Sequence, residues 1–194
     1  MRHQRLPRSW TLRPLTEAPV DGPVPATVPG CVHTDLLAAG LIPDPYRDDN
    51  ETRLGWIGRT DWAYETVFGW EDAGERRVDL VCEGLDTIAD IELNGVPVGS
   101  ARNMHRRYRF DLAGALRPGE NRITVHFSAP YGYAEHWRAE LGDRPAAYAE
   151  PYPFIRKMAC NFGWDWGPTL VTSGIWRPIG LEAWSVARLA RVRP

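Results

Sequence analysis

The stretch Thr87-Ile88-Ala89-Asp90-Ile91-Glu92-Leu93-Asn94-Gly95-Val96-Pro97-Val98-Gly99-Ser100-Ala101 decides the fold class. Asn94-Gly95 reads as a two-residue type I′ turn, because both central positions of that turn need positive φ. Residues 87–93 and 96–101 are then the two strands of a hairpin. Working outward, the same period-two patterning recurs on both sides. Upstream, residues 61–70 place Trp62, Tyr64, Thr66 and Phe68 on one face, and residues 76–82 set Val78, Leu80 and Cys82 against Arg77 and Asp79. Downstream, strands are expected over 107–112 and 122–128, joined through the turn Arg117-Pro118-Gly119-Glu120-Asn121. In the second of these, Ile123, Val125 and Phe127 face away from Arg122, Thr124 and His126. Many short strands with closely spaced turns predict an all-β sandwich or barrel and disfavour a parallel α/β fold.

Helical signal is sparse. Residues 32–39 predict two turns closed by Gly40, whose missing Cβ suits a helix end, and 133–141 predict another short helix. Residues 43–58 and 146–168 fit no regular element. Both are rich in Pro, Gly, aromatic and charged residues, which predicts ordered loops packed on the rim of the sandwich. There is no internal repeat and no low-complexity segment. Residues 187–194 read as a strand or linker leading onward, so the sandwich is assigned to 1–186.

Composition narrows the function. The chain has 194 residues, 43% hydrophobic and 25% charged, an ordinary globular balance, and its formal net charge of −2 supplies no basic field for nucleic acid or anionic membrane. Lys157 is the only lysine, and little is read into that. Nine tryptophans are a heavy load, and several lie in polar Gly/Pro-rich stretches. An indole offers a flat apolar face and one N–H donor, which suits a sugar ring, whereas Trp62, Trp70 and Trp184 are assigned to the core. Cys31, Cys82 and Cys160 form no C-x-x-C pair, so neither a disulfide framework nor a zinc site is expected, and the Cys31/His33 pair cannot close a tetrahedral metal site. No membrane span and no secretory leader are read, which leaves a reducing cytoplasm as the expected compartment. Arg102, Arg106, Arg107 and Arg109 are assigned to a solvated face or a set of ion pairs. There is no phosphate loop, no G-x-S-x-G elbow and no H-E-x-x-H helix, and no cofactor is implied.

Four segments carry a resemblance. The first is Pro25-Ala26-Thr27-Val28-Pro29-Gly30 with Val32-His33-Thr34-Asp35-Leu36 and Ala39-Gly40-Leu41-Ile42-Pro43-Asp44-Pro45. The second is Asn50-Glu51 with Trp56-Ile57-Gly58 and Asp61-Trp62. The third is Gly84-Leu85-Asp86-Thr87, then Asn94-Gly95 and Asn103-Met104-His105. The fourth is Pro151-Tyr152-Pro153-Phe154-Ile155-Arg156-Lys157, followed by Phe162-Gly163-Trp164-Asp165-Trp166-Gly167-Pro168 and Gly174-Ile175-Trp176-Arg177. In this order they resemble the N-terminal domain of β-mannosidases of glycoside hydrolase family 2, over nearly the whole chain.

The resemblance implies a jelly-roll, galactose-binding-like β-sandwich with short helices and long ordered loops. It implies a following immunoglobulin-like domain and a (β/α)8 barrel that holds both catalytic glutamates of a retaining hydrolase, so no catalytic residue is assigned here. A loop of the N-terminal domain would reach the barrel mouth. Asp165 would touch the terminal mannose there, with Asn103 at a neighbouring contact and Trp164 and Trp166 beside it, at least one of the two anchoring the loop. The expected partners are a β-mannoside or mannose-containing oligosaccharide and that barrel. A carboxylate can accept charge-assisted hydrogen bonds from two adjacent hydroxyls. Alternatively, Asp165 caps a turn or pairs with Arg156 or Arg177. A free-standing carbohydrate-binding module and a self-contained hydrolase are the competing functions. The latter would need two carboxyls roughly 5–5.5 Å or about 6.5–9.5 Å apart, drawn from Glu135, Glu140, Glu150 and Asp165.

Overall fold

The computed structural model describes residues 1–189. Among them are ten strands: β1 (Arg2–Arg5), β2 (Ser9–Pro14), β3 (Val24–Thr27), β4 (Trp62–Trp70), β5 (Arg77–Cys82), β6 (Ile88–Leu93), β7 (Val96–Arg102), β8 (Tyr108–Asp111), β9 (Gly119–Phe127) and β10 (Ile179–Trp184). They form two antiparallel sheets, one ordered β1-β10-β5-β8 and the other β3-β2-β4-β9-β6-β7. The expected β-sandwich is the fold observed.

The alternation read in the sequence is what joins the layers. Along β4, Trp62, Tyr64, Thr66, Phe68 and Trp70 are all buried, while Val67 and Gly69 face solvent. In β9, Ile123, Val125 and Phe127 turn inward, and from the facing sheet Leu80, Cys82 and Leu181 complete the core. The hairpin forms as expected: Asn94 and Gly95 have φ of 54° and 78°, and Leu93 pairs with Val96. Pro97 and a register shift at Ile91/Glu92 mark β7, the edge strand, which blunts it as a template for further pairing.

The polar face of the four-stranded sheet departs from simple alternation, because Asp79 and Glu182 are buried beside arginine. Arg109 pairs with both carboxylates, at 3.1 Å to Asp79, and Arg107 bridges Glu83 at 2.9 Å and Glu182 at 3.1 Å. The basic run is an ion-pair lattice on a sheet. Trp184 is a correction: it is half-buried rather than core, with the Arg188 guanidinium 5.1 Å from its ring.

Helix α1 (Val32–Ala38) is capped at its start by Cys31 and Thr34. Thr34 Oγ1 accepts from the Cys31 amide at 3.1 Å and donates to its carbonyl at 2.7 Å. At its end Gly40, at φ 69°, donates to Leu37, and Leu41 donates to Leu36 at 2.9 Å, the paired bonds of a Schellman ending. Helix α2 (Pro130–Leu141) begins three residues earlier than the sequence reading, because Pro130 at the first helical position forfeits only an amide that has no intrahelical partner. Residues 43–58 and 146–168 are ordered loops with single 3-10 turns at Asn50–Arg53, Gly55–Arg59, Tyr152–Phe154 and Ala159–Phe162. Of the linker expected over 187–194, residues 187–189 are irregular and the others lie outside the described residues.

One consequence of the two-residue strand period positions the site. Ala89 joins the main core, so its neighbour Ile88 points to the opposite face of the sheet. There it meets Tyr131 and Ala134 of α2 with Ile155, Phe162 and Val171, forming a second, smaller core. That satellite core holds the long loop against the sandwich.

Candidate functional site: an exposed tryptophan–aspartate turn

The loop reaches its tip at Trp164–Gly167. The amide of Gly167 donates to the Trp164 carbonyl at 3.3 Å and the Trp164 amide to Gly167 at 3.4 Å, closing a four-residue turn. Gly163 enters it at φ 97°, and a Cβ there would lie 2.5 Å from Thr169 Oγ1, so the approach requires glycine. Phe162 before the turn and Val171 after it are buried in the satellite core.

Four sequence-assigned residues fall into two groups. Trp164, Asp165 and Trp166 share the turn. Trp164 is 41% exposed and packs edge-on against Tyr148, with ring centroids 5.6 Å apart, so it is the anchor. Trp166 is 75% exposed and touches Trp164 at 5.2 Å with planes inclined by 57°. Asp165 is exposed, and with Trp164, Tyr148 and Gly163 it lines a concavity of about 510 Å³. Neither alternative pairing of Asp165 is formed among the described residues. The Arg177 guanidinium lies over the Trp176 ring at 4.2 Å. Asn103 lies apart, in a second concavity of about 550 Å³ between α2 and residues 153–157. Its Oδ1 accepts from the His105 amide at 2.9 Å, which leaves its Nδ2 to donate outward.

Sequence reasoning missed the residues that hold this turn. Lys157 and Asp86, 71 positions apart, form a buried ion pair; their side chains are 0% and 3% exposed. The ammonium also donates to the Thr172 carbonyl at 2.9 Å and to Thr172 Oγ1 at 2.8 Å, so all three of its donors are used. Thr172 Oγ1 in turn donates to Asp86 at 2.6 Å, and Thr87 Oγ1 donates to the other Asp86 oxygen. Burial pulls the Lys157 ammonium below the usual lysine range, and the Asp86 carboxylate opposes that pull. Beside the pair, His33 is buried with Nδ1 unpartnered. Desolvation, and then the Lys157 charge, lower its pKa to about 4 against a smaller upward pull from Asp86. The available signal was Lys157 itself, the one lysine in an arginine-rich chain.

Of the carboxylates proposed for a self-contained hydrolase, Glu135 is already engaged. Glu135 is gripped by Arg59 through two hydrogen bonds of 2.9 and 3.1 Å, and the same guanidinium sits 4.3 Å over Tyr131. Burial and Glu150 together raise the Tyr131 hydroxyl to about 12. Among the described residues no three His, Cys, Asp or Glu side chains come together as a metal would require.

Residues 10–177 match the family described as glycosyl hydrolase 2 galactose-binding domain-like. The chain belongs to that family. Among relatives of this glycosyl hydrolase 2 domain, a β-mannosidase of Bos taurus is 40% identical over 181 residues, covering 86% of this chain and 20% of its own length. β-Mannosidase A of Aspergillus aculeatus is 36% identical over 184 residues, 87% of this chain and 19% of its own. The chain therefore spans about a fifth of the length of these relatives. The crystal structure of a β-D-mannosidase from Dictyoglomus thermophilum superposes with a TM-score of 0.92 at 35% identity, covering 98% of this chain and 23% of that one. An exo-chitosanase of Amycolatopsis orientalis, at 18% identity and TM-score 0.70, shares the fold. The resemblance carried by the four sequence segments is the one these comparisons return.

Proposed function

We propose that this chain is the N-terminal domain of a retaining β-mannosidase, an enzyme that removes terminal non-reducing β-D-mannose residues. In this reading it supplies the Trp164–Gly167 turn to the sugar subsite, and two glutamates of a catalytic barrel perform the hydrolysis. The observation that carries the reading is the Asp165 carboxylate, exposed and without a hydrogen-bond or ion-pair partner among the described residues, at the tip of a braced aromatic turn. Binding residues are disproportionately carried on loops held by a rigid scaffold, and adjacent hydroxyls of a pyranose match the two oxygens of a carboxylate. The 40% identity to a β-mannosidase over most of the chain supports mannose as the sugar. In this reading Asn103, in its own concavity, contributes a donor toward the same ligand, and Trp164 and Trp166 stand beside Asp165.

A free-standing carbohydrate-binding module is the second reading, favoured by the exposure of Trp166. Trp164 and Trp166 are tilted by 57° and so present no single flat face to a run of sugar rings. Three unpaired thiols, Cys31, Cys82 and Cys160, support a reducing, cytoplasmic setting. No helix of the described residues is long and apolar enough to cross a membrane. The test is the effect of Asp165→Ala on hydrolysis by the barrel-containing polypeptide. A loss in kcat/KM without a loss of folding supports the reading, and unchanged kcat/KM overturns it.

A further inference from the structure

We propose that Lys157, Asp86 and Thr172 act as a positioning latch that sets the height and rotation of the Asp165 turn. This inference rests on the sugar-subsite reading of Asp165 given above. Lys157 and Thr172 stand at the two feet of the excursion 158–171, and both are tied to the same carboxylate. The far foot is further fixed by reciprocal backbone bonds between Asp86 and Gly174, at 2.9 and 2.8 Å. The near foot depends on Lys157 for its connection to Asp86. One residue before it, Arg156 bridges Asn103 and accepts from the Met104 amide, so the same foot also sets where Asn103 stands relative to the turn.

The chemistry of the latch argues for register rather than bulk stability. A buried ion pair costs desolvation that its Coulomb attraction only roughly offsets, and well-packed apolar replacements are often as stable. What it adds is direction. Between its feet the excursion has one 3-10 turn, Ala159–Phe162, its deep anchors, Phe162 and Val171, are apolar, and the Thr169 amide bond to Glu51 ties only the far side of the tip. Apolar contacts are non-directional and tolerate sliding and rotation. An ammonium with three donors matched to three acceptors does not tolerate them, because any displaced register leaves a buried charge unpaired. Asp86 leads out of the main core and is itself held by Thr87, so the reference point of the latch is the sandwich.

Two measurements test it. The first is hydrogen exchange by mass spectrometry on the 194-residue chain with Lys157→Met, Thr172→Val and Thr172→Ser. Thr172→Val keeps the shape and removes the hydroxyl, and it decides the question should Lys157→Met fail to fold. Exchange over 158–171 is expected to quicken about tenfold or more in Lys157→Met and Thr172→Val, with β4 and β9 unchanged and Thr172→Ser like the parent. Uniform acceleration across both sheets, or none in the excursion, would overturn the latch. The second is a double-mutant cycle in the barrel-containing polypeptide. Thr172→Val is expected to lower kcat/KM on an aryl β-mannoside about tenfold when Asp165 is present, and by less than about twofold in an Asp165→Ala background. Equal losses in both backgrounds would show that Thr172 does not act through Asp165. If Asp165→Ala alone leaves kcat/KM intact, the sugar-subsite reading fails, and hydrogen exchange still decides the latch.

Discussion

The Glu51 carboxylate accepts a hydrogen bond from the Thr169 amide at 2.5 Å, joining residues 118 positions apart. It links the two irregular segments, because Glu51 sits in the 3-10 turn of residues 43–58 and Thr169 follows the Trp164–Gly167 turn. One loop therefore braces the other. Glu51→Ala should lower stability by about 1 kcal/mol, less than the roughly 1.5–3 kcal/mol of a hydrogen bond to a buried charge, because Glu51 is only half-buried. Urea unfolding together with exchange at residues 167–170 checks this. Unchanged exchange there would mean that the bond does no bracing.

The turn that decides the fold is also a polar junction. Asn94 Nδ2 donates to the Ala115 carbonyl and to Asn121 Oδ1, both at 2.8 Å, and its Oδ1 accepts from the Arg122 amide at 2.9 Å. Asn94→Gly retains the positive φ and removes all three bonds, and is expected to cost about 1–3 kcal/mol by chemical denaturation. A cost near zero would mean that backbone conformation alone selects asparagine there.

His33 makes the folded state less stable as the medium turns acid. Its folded pKa of about 4 lies below the ordinary 6.5, so the native state binds fewer protons than the unfolded chain between those values. Its contribution is complete above pH 6.5 and is lost as pH falls toward 4. The loss should reach about 2 kcal/mol by pH 5. Burial raises the Asp35 carboxyl, against the Thr27 amide and the Tyr64 hydroxyl, so Asp35 acts in the opposite sense. That term is common to parent and His33→Gln. The difference in unfolding free energy between pH 7 and pH 5 should therefore shrink by about 2 kcal/mol in the mutant. An identical pH slope in the two proteins would contradict a neutral buried His33.

The 194-residue chain alone should not turn over aryl β-mannosides. Retaining hydrolysis needs an acid/base and a nucleophile, and Glu135, one of the candidates, is already engaged by Arg59. Turnover that survives purification and disappears in Glu135→Gln, Glu140→Gln or Glu150→Gln would revive the small-hydrolase reading.

Residues with strong local signals were legible before the fold was known. The β6–β7 hairpin, the inward stripe of β4 and that of β9 all stand where alternation put them. β1, β2, β3 and β10 were not read. β1 is four polar residues on an edge, β3 carries Pro25 and β10 carries Gly180, which weaken their strand signals, whereas β2 does alternate, Trp10 and Leu12 against Ser9, Thr11 and Arg13, in a short run that ends in Pro14. At the site, the aromatic turn was visible as a contiguous motif. The Lys157–Asp86–Thr172 latch was not, because Asp86 lies 71 positions before Lys157, and the one lysine of the chain carries no local sign of which carboxylate it pairs with. Trp184 was misassigned for a related reason: an apolar strand end says nothing about whether a facing layer covers it.

Acceptance of hydrogen bonds from the terminal sugar by Asp165 is tested by pairing kcat/KM on an aryl β-mannoside with thermal unfolding. Both are measured on one preparation of the barrel-containing polypeptide carrying Asp165→Ala. Each charge-assisted contact is worth about 1.5–3 kcal/mol, so losing one should reduce kcat/KM about ten- to hundredfold, and losing two by more. Because Asp165 is exposed and pairs with neither Arg156 nor Arg177, the melting temperature should stay at the parent value. A lowered melting temperature with parental kcat/KM would contradict the account.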